Sequence, residues 1–410
     1  MKIGVFAQNH HISVDAVRHY MALSLLLPRK KGSHYIFSEK DSQDLEELLE
    51  LKTLGFTLTE IQKIFSYKRL TTLKTQEDRN HYKALLNHKR QQLIQQQAEL
   101  EKKQKCLEEK ISAIASTPSP VRSLLGLPLL FLQHLACPDC GSSLTISNGL
   151  LEQNMILKGN FTCTCGYYGE ISEGIFVSLT EEDKKKIIPT KGGAETLQEY
   201  VDMNSPKYIS FMYHTIQRSI QLLKTEPLEN SIILELGTGS GFFLKQFLNH
   251  IPPTAYYIIC DHNLERIQIV KDYLEKESGH NQFIFLCADF ERLPIASASL
   301  DFVIDYWSSA IYNLNNDKLL VSQIADRVKS AGKLIGSYIY MGKKAVLFSN
   351  LPKAQWPYYQ MEPLQKMLCD SPFRFLLLEE LGLIEEFDAP SEPLMVGNQV
   401  HAFIYYGKKC

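Results

Sequence analysis

A chain of 410 residues, 44% of them hydrophobic, is longer than an ordinary domain and has apolar surface for about two to four packed units. Its formal net charge of −2 hides an asymmetry: residues 1–120 hold 19 Lys and Arg against 14 Asp and Glu, and the remainder 25 against 32. A nucleic-acid contact is therefore expected of the N-terminal part alone. No charged opening leads into an apolar stretch, and the longest apolar run, Leu124–Leu132, is broken by Gly126 and Pro128, which argues against secretion and membrane spanning. The nine cysteines include two close pairs and several singletons. That pattern suits a reducing compartment and a metal site better than a disulfide framework, so a cytoplasmic protein is expected.

In chain order, Lys2–Gln8 carries an apolar stripe at Ile3, Val5 and Phe6, and Ser13 is a suitable cap for a second helix over Val14–Ala22. Leu25–Phe37 reads as a short hairpin with Arg29, Lys30 and Lys31 at its tip. Helices are predicted over Ser42–Leu54 and Thr57–Phe65, the second opened by a Thr57/Glu60 capping box.

These residues resemble the MerR family of winged helix-turn-helix transcription regulators over residues 1–115. The resemblance rests on Ile3-Gly4, Ser13-Val14, Val17-Arg18-His19-Tyr20, Leu26-Leu27-Pro28-Arg29, Phe37-Ser38-Glu39-Lys40-Asp41 and the run Leu54-Gly55-Phe56-Thr57-Leu58-Thr59-Glu60-Ile61. It implies double-stranded DNA as partner, in the form of a palindromic operator. Ser13, Arg18, His19 and Tyr20 would stand on the recognition helix, with Arg29, Lys30, His34 and Tyr35 on the wing. Where the family has Tyr-Arg in the second wing strand this chain has His34-Tyr35, and the family's Tyr-Tyr on the recognition helix is His19-Tyr20, so one phosphate contact is lost.

Thr75–Ala115 reads as a long polar helix in which Leu86, Leu93, Leu100, Leu107 and Ile114 recur every seventh residue. That is a coiled-coil seam, although Arg90, Gln97 and Gln104 beside it are polar; in the resembled family such a helix pairs antiparallel with its copy, which implies a homodimer. Ser116-Thr-Pro-Ser-Pro120 then marks a linker. Cys137-Pro-Asp-Cys140 and Cys163-Thr-Cys165 can present four thiolates tetrahedrally, with Gly141 and Gly166 allowing tight turns. We read a zinc ribbon with a structural role, because four cysteines leave no open coordination position. The segment from Leu135 to Val177 is similar to the ribbon of the zinc-containing ribosomal RNA guanine methyltransferases and to small zinc modules that partner methyltransferases, though its ligand spacing differs from that of the RNA enzymes.

Ser231–Phe243 places an apolar strand, Ile232–Leu236, directly before Gly237, Gly239 and Gly241 and a short helix, the order expected of a nucleotide-type cofactor site. Three further apolar runs end in acids: Tyr256–Asp261, Phe283–Asp289 and Leu300–Asp305. Asp261 stands 24 residues after Gly237, a spacing that suits ribose hydroxyls. These residues resemble the class I S-adenosylmethionine (SAM) dependent methyltransferases over residues 231–340. The resemblance implies that Glu235, Gly237, Gly239 and Gly241 surround the methionine part of SAM, Asp261 the ribose, and Asp289 with Phe290 the adenine. Asp305, Tyr306 and Trp307 follow the fourth strand and are candidates for contact with the methyl acceptor. Neither an Asn-Pro-Pro-Tyr motif nor a Pro-Cys nucleophile is present, which disfavours DNA bases as acceptors.

Residues 180–230 are expected to be helical, with Tyr200, Met203, Tyr208, Phe211, Met212 and Tyr213 a candidate lid. Met341–Cys369 reads as an aromatic-rich insertion containing Trp356, Tyr358 and Tyr359, with a last helix over Phe373–Leu381 and strands at Ile384–Phe387 and His401–Tyr406. The expected fold is thus multidomain α and α/β. It comprises a winged helix-turn-helix domain (1–72), a dimerisation coiled-coil helix (73–116), a linker (117–134), a zinc ribbon (135–180) and a Rossmann-like methyltransferase domain (181–410). The function expected is a DNA-binding transcriptional regulator whose SAM-binding domain is effector or enzyme, acting on a small molecule. The alternative is a methyltransferase of a small molecule or ribosomal RNA, with an autoregulatory or accessory DNA-binding part.

Overall fold

The computed structural model describes residues 1–71, 73–115, 123–180, 197–277, 282–342, 346, 351–385 and 399–410. Residues 116–122, which hold the Ser116–Pro120 stretch and the first part of the linker expected over 117–134, and parts of the aromatic insertion at 343–345 and 347–350, lie outside the described residues, as does 386–398 with the end of the strand expected at Ile384–Phe387. The chain divides into two units, Met1–Pro118 and Ser119–Cys410.

The first unit opens with α1 (Ile3–Asn9) and α2 (Val14–Ala22). Ser13 caps α2 by accepting the Ala16 N–H at 3.0 Å. A hairpin of β1 (Arg29–Lys31) and β2 (His34–Ile36) turns through Gly32, whose φ of 62° is in the left-handed region. The three basic residues thus lie along β1, and the tip belongs to Gly32 and Ser33. Then come α3 (Glu39–Thr53) and α4 (Leu58–Thr71). The capping box of α4 is present: Thr57 N–H donates to Glu60 at 2.7 Å and Glu60 N–H to Thr57 Oγ1 at 3.2 Å. α3 starts three residues before the predicted Ser42, because Ser38 and Asp41 form a second capping box. Phe6, Val17, Tyr20, Leu45, Leu48, Ile61 and Ile64 make this unit's own core. The long helix α5 (Gln76–Ala115) ends it.

In the second unit a 12-stranded sheet takes in every strand from β3 (Leu127–Pro128) to β14 (Val400–Lys409) in chain order. Its centre is β8 (Ile232–Leu236), β9 (Tyr256–Asp261), β10 (Phe283–Ala288), β11 (Leu300–Tyr306) and β12 (Val328–Met341), with β13 (Phe373–Ile384) and β14 antiparallel at one end. The lateral order β13-β14-β12-β11-β8-β9-β10 is that of a doubly wound sheet reversing direction between β8 and β11. The central strands are continuous apolar runs because helices cover both faces. α6 (Leu197–Met203) and α7 (Pro206–Leu223) precede β8, and α7 turns Tyr208, Phe211, Met212, Ile216, Ile220 and Leu223 inward at helical spacing.

Phe373–Leu381, predicted as helix, is strand: it forms most of β13, whose exposure alternates residue by residue. Leu and Glu favour helix in isolation, and pairing with β14 overrides that preference.

At the opposite end, β4 (Thr145–Glu152), β5 (Met155–Thr162), β6 (Tyr168–Ser172) and β7 (Ile175–Ser178) form the cysteine-bearing ribbon. β7 pairs in parallel with β10, so the ribbon prolongs the main sheet.

Candidate functional site

The reversal between β8 and β11 leaves a crevice at the carboxyl ends of these strands, where open α/β sheets take their ligands. The glycine turn stands there. Gly237, Gly239 and Gly241 have φ values of 58°, 56° and 74°, which side chains rarely adopt. At Gly237 the constraint is also spatial, since a Cβ would come within 2.4 Å of Ser308 Oγ. A Cβ at Gly239 would make only an ordinary contact, 3.8 Å from the Gly237 carbonyl, and Gly239 donates its N–H to Asp261 Oδ2 at 2.9 Å. Asp261 Oδ1 accepts from Asn263 N–H at 2.9 Å, and Asn263 caps α8 (Leu264–Glu277). This buried carboxylate thus ties the glycine turn to the next helix. Beside it, Thr238 Oγ1 is buried with no hydrogen-bond partner among the described residues, an atom in need of a ligand.

Glu235, expected beside the methionine part of SAM, stands one residue before the end of β8. It is buried within β8 and accepts the Tyr257 hydroxyl at 2.7 Å; burial, against the pull of that bond, pushes its carboxyl up to about 8. Asp289 accepts the Glu291 N–H at 2.9 Å and caps the turn Phe290–Arg292, with Phe290 half-buried and edge-on to His262, their centroids 6.2 Å apart.

Asp305 is wholly enclosed at the end of β11, where it accepts the Ser309 N–H at 2.8 Å and the hydroxyls of Ser309 and Tyr405. Tyr306 donates to the Met212 carbonyl at 2.9 Å and stacks on Trp307, the ring centroids 5.0 Å apart. Trp307 has φ 60°, a strained value for this residue type, and is held by two bonds to Ser337. Tyr208 and Phe211 pack near the same indole. The structure thus gathers the glycines, Asp261, Asp289, Phe290 and the Asp305–Trp307 segment on one end of the sheet. Ser308, which joins the two sides of the crevice by donating to the Leu236 carbonyl, escaped the sequence reading because no local pattern marks it.

Residues 233–332 match a family model described as a methyltransferase domain, and residues 1–68 one described as MerR HTH family regulatory protein. The chain joins a MerR helix-turn-helix domain to a methyltransferase domain. A ubiquinone/menaquinone biosynthesis C-methyltransferase, UbiE, of Blochmanniella pennsylvanica is 25% identical over 154 residues. The match takes in 38% of this chain and spans 59% of that relative's length. Among solved structures, a SAM-dependent methyltransferase from Aquifex aeolicus matches at 15% identity and a TM-score of 0.34, over 56% of this chain and 97% of its own. The complex of the Haloferax volcanii Trm112 methyltransferase activator with a putative methyltransferase matches at 16% identity and a TM-score of 0.37, over 50% of this chain and 91% of the other.

In the ribbon that precedes the methyltransferase domain, the Sγ atoms of Cys137, Cys140, Cys163 and Cys165 lie within 4.8 Å of one another. Two pairs, Cys137–Cys165 and Cys140–Cys163, are 3.4 Å apart. Tetrahedral thiolates around Zn²⁺ would be about 3.8 Å apart, so the four could hold such an ion. Each knuckle is a turn closed on backbone bonds, Gly141 N–H to Cys137 and Gly166 N–H to Cys163, with both glycines at positive φ.

In the MerR domain, Arg18 and His19 lie on the exposed face of α2, Arg18 paired with Asp15 at 3.0 Å, and Ser13 is the helix cap. Arg29, Lys30, His34 and Tyr35 are exposed on the hairpin, and a shallow cleft between α2 and the hairpin is lined by Arg18, Leu27, Pro28 and Tyr35. Tyr20 points the other way, buried in the core with its hydroxyl accepting from Lys52 at 3.2 Å. No described helix is long and apolar enough to cross a membrane.

Proposed function

We propose that this protein is a homodimeric DNA-binding regulator in which SAM, bound in the methyltransferase domain, serves as signal or as donor for methylation of a small molecule. The observation that carries the reading is the joining, on one chain, of a MerR domain with a basic exposed face and a methyltransferase domain whose glycine turn stands at the sheet's reversal point.

Arg18 and His19 would enter the major groove, and Arg29, Lys30, His34 and Tyr35 would bind flanking phosphates, while Tyr20 supports α2 from beneath. In the crevice the glycine turn and the orphan Thr238 hydroxyl would receive the methionine part, Asp261 the ribose, and Asp289 with Phe290 the adenine. Each Asp261 oxygen has one N–H donor and keeps a lone pair for a ribose hydroxyl. Bound SAM would supply an electrophilic methyl group. The Tyr306–Trp307 wall, with Tyr208 and Phe211, would keep water from it and orient the acceptor. We read Asp305 as a positioning residue, since Ser309 and Tyr405 occupy it. Zn²⁺ in the four-cysteine site would be structural, and the long helix would pair with its copy.

The test is calorimetric titration of the full chain with SAM and S-adenosylhomocysteine, alongside selection of operator DNA from random duplexes. Micromolar binding of either cofactor form and enrichment of a palindrome are expected. Failure of Asp261→Ala to weaken cofactor binding would remove the site as drawn. Methyl incorporation into ribosomal RNA by the purified protein would favour the RNA-modifying alternative.

A further inference from the structure

The cysteine ribbon meets the loop after β10 at its first knuckle and the end of β10 itself at its second. From the first, the Asp139 carboxylate receives Arg292 twice over, Nη2 to Oδ1 at 2.7 Å and to Oδ2 at 3.0 Å, with Nε at 3.1 Å. The chain before this knuckle runs alongside the same loop: Ala136 N–H donates to the Pro294 carbonyl at 3.3 Å and Ala296 N–H to the His134 carbonyl at 2.8 Å. From the second knuckle, the Cys163 N–H donates to the Tyr167 carbonyl at 3.0 Å, and the Tyr167 hydroxyl meets Ser178 Oγ inside the sheet. Ser178 stands in register beside Ala288, the residue before Asp289. The far side of the loop is held as well, through Glu291 and the Tyr312 hydroxyl.

A C-x2-C turn is two residues wide between its ligands, so the position of Asp139 depends on whether Cys137 and Cys140 are drawn together. Without an ion no bond ties Cys137 and Cys140 to one another or to Cys163 and Cys165, and the guanidinium's partner is less firmly held. We propose that Asp139 and Arg292 are positioning residues that transmit metal occupancy of the four cysteines to the Asp289–Pro294 loop, and so set the affinity for SAM. The proposal rests on SAM as the ligand of that loop. Metal loss or thiol oxidation in the ribbon would then weaken cofactor binding without touching a cofactor contact. The ion pair is about a third exposed on either side, so its share is modest.

The experiment compares zinc-loaded and chelator-stripped full-length protein, each as wild type, Arg292→Gln and Asp139→Asn. It measures zinc content, SAM affinity by calorimetry, and amide hydrogen exchange over residues 283–296. Arg292→Gln is expected to keep its zinc and to weaken SAM binding roughly three- to tenfold. Stripping zinc from the wild type should produce a similar loss and faster exchange in the loop, whereas stripping zinc from Arg292→Gln should add less than it does in the wild type. Wild-type SAM affinity and loop exchange in Arg292→Gln would overturn the coupling, and so would strictly additive effects of the variant and of metal removal. Should the stripped protein unfold, the two zinc-loaded variants decide alone. If the wild type binds no SAM, the cofactor reading fails, and hydrogen exchange still decides whether the knuckle governs the loop.

Discussion

Across the sheet, Leu236, Asp305, Gly336 and Tyr405 stand in one register row. Tyr405 reaches over Gly336 to bond Asp305, which is possible only because that position has no Cβ; one built there would lie 2.1 Å from the tyrosine ring. Gly336→Ala should displace Tyr405 and leave a buried carboxylate short of a partner, costing about 2–4 kcal/mol by denaturant unfolding. An unchanged midpoint would show that the ring has room to move aside. Glu235 makes a second prediction. Its carboxyl is raised to about 8 by burial, so between the unfolded value near 4.5 and about 8 the folded chain holds a proton that the unfolded chain releases. Stability from this group is therefore full below that window and falls as pH rises through it. Glu235→Gln keeps an acceptor for Tyr257 and carries no charge. Its melting temperature should gain steadily on the wild type from pH 5 to about pH 8 and hold constant above; a pH-independent difference would count against the buried proton.

At the scale of elements, α5 divides its own seam. Tyr82, Leu85 and Leu86 pack on the MerR domain's core, while Leu100, Leu107 and Ile114 are 65%, 61% and 77% exposed and have no cover among the described residues. A row of exposed leucines at heptad spacing favours a second helix over solvent. Leu100→Lys with Leu107→Lys should convert a dimer to monomer in light scattering and cost operator affinity at least about tenfold, since two half-sites no longer bind together. A wild-type chain that is already monomeric would defeat the premise. The sequence displays such elements where the signal is local. Ser13 and the period of Val14–Ala22 mark α2 to the residue, and the apolar runs that end in Asp261 and Asp289 are strands because parallel neighbours bury both faces. It hides what depends on distant partners. Phe373–Leu381 looks helical until β14 is beside it, Asp305 meets Tyr405 from 100 residues away, and Asp139 meets Arg292 from 153. For the same reason the glycine turn could be found by inspection, whereas Ser308 could not.

For the whole molecule, the charge asymmetry and the pairing of domains bear on a single thermodynamic question. If SAM in the methyltransferase domain alters operator binding by some factor, operator must alter SAM binding by that same factor, because both paths close one cycle. A regulator that senses SAM should show equal factors, within the usual range of about 5 to 150, whether operator affinity is measured with and without SAM or SAM affinity with and without operator. Asp261→Ala should abolish the SAM-dependent change while leaving operator affinity in the absence of SAM as in the wild type. Operator affinity should also fall steeply with salt, in proportion to the phosphates met by Arg29, Lys30 and their neighbours, whereas SAM affinity should not. If both factors are one while SAM still binds, the two domains act independently. Methyl transfer to a small molecule is then the output of the larger domain, and DNA binding serves to place or regulate the protein that carries it.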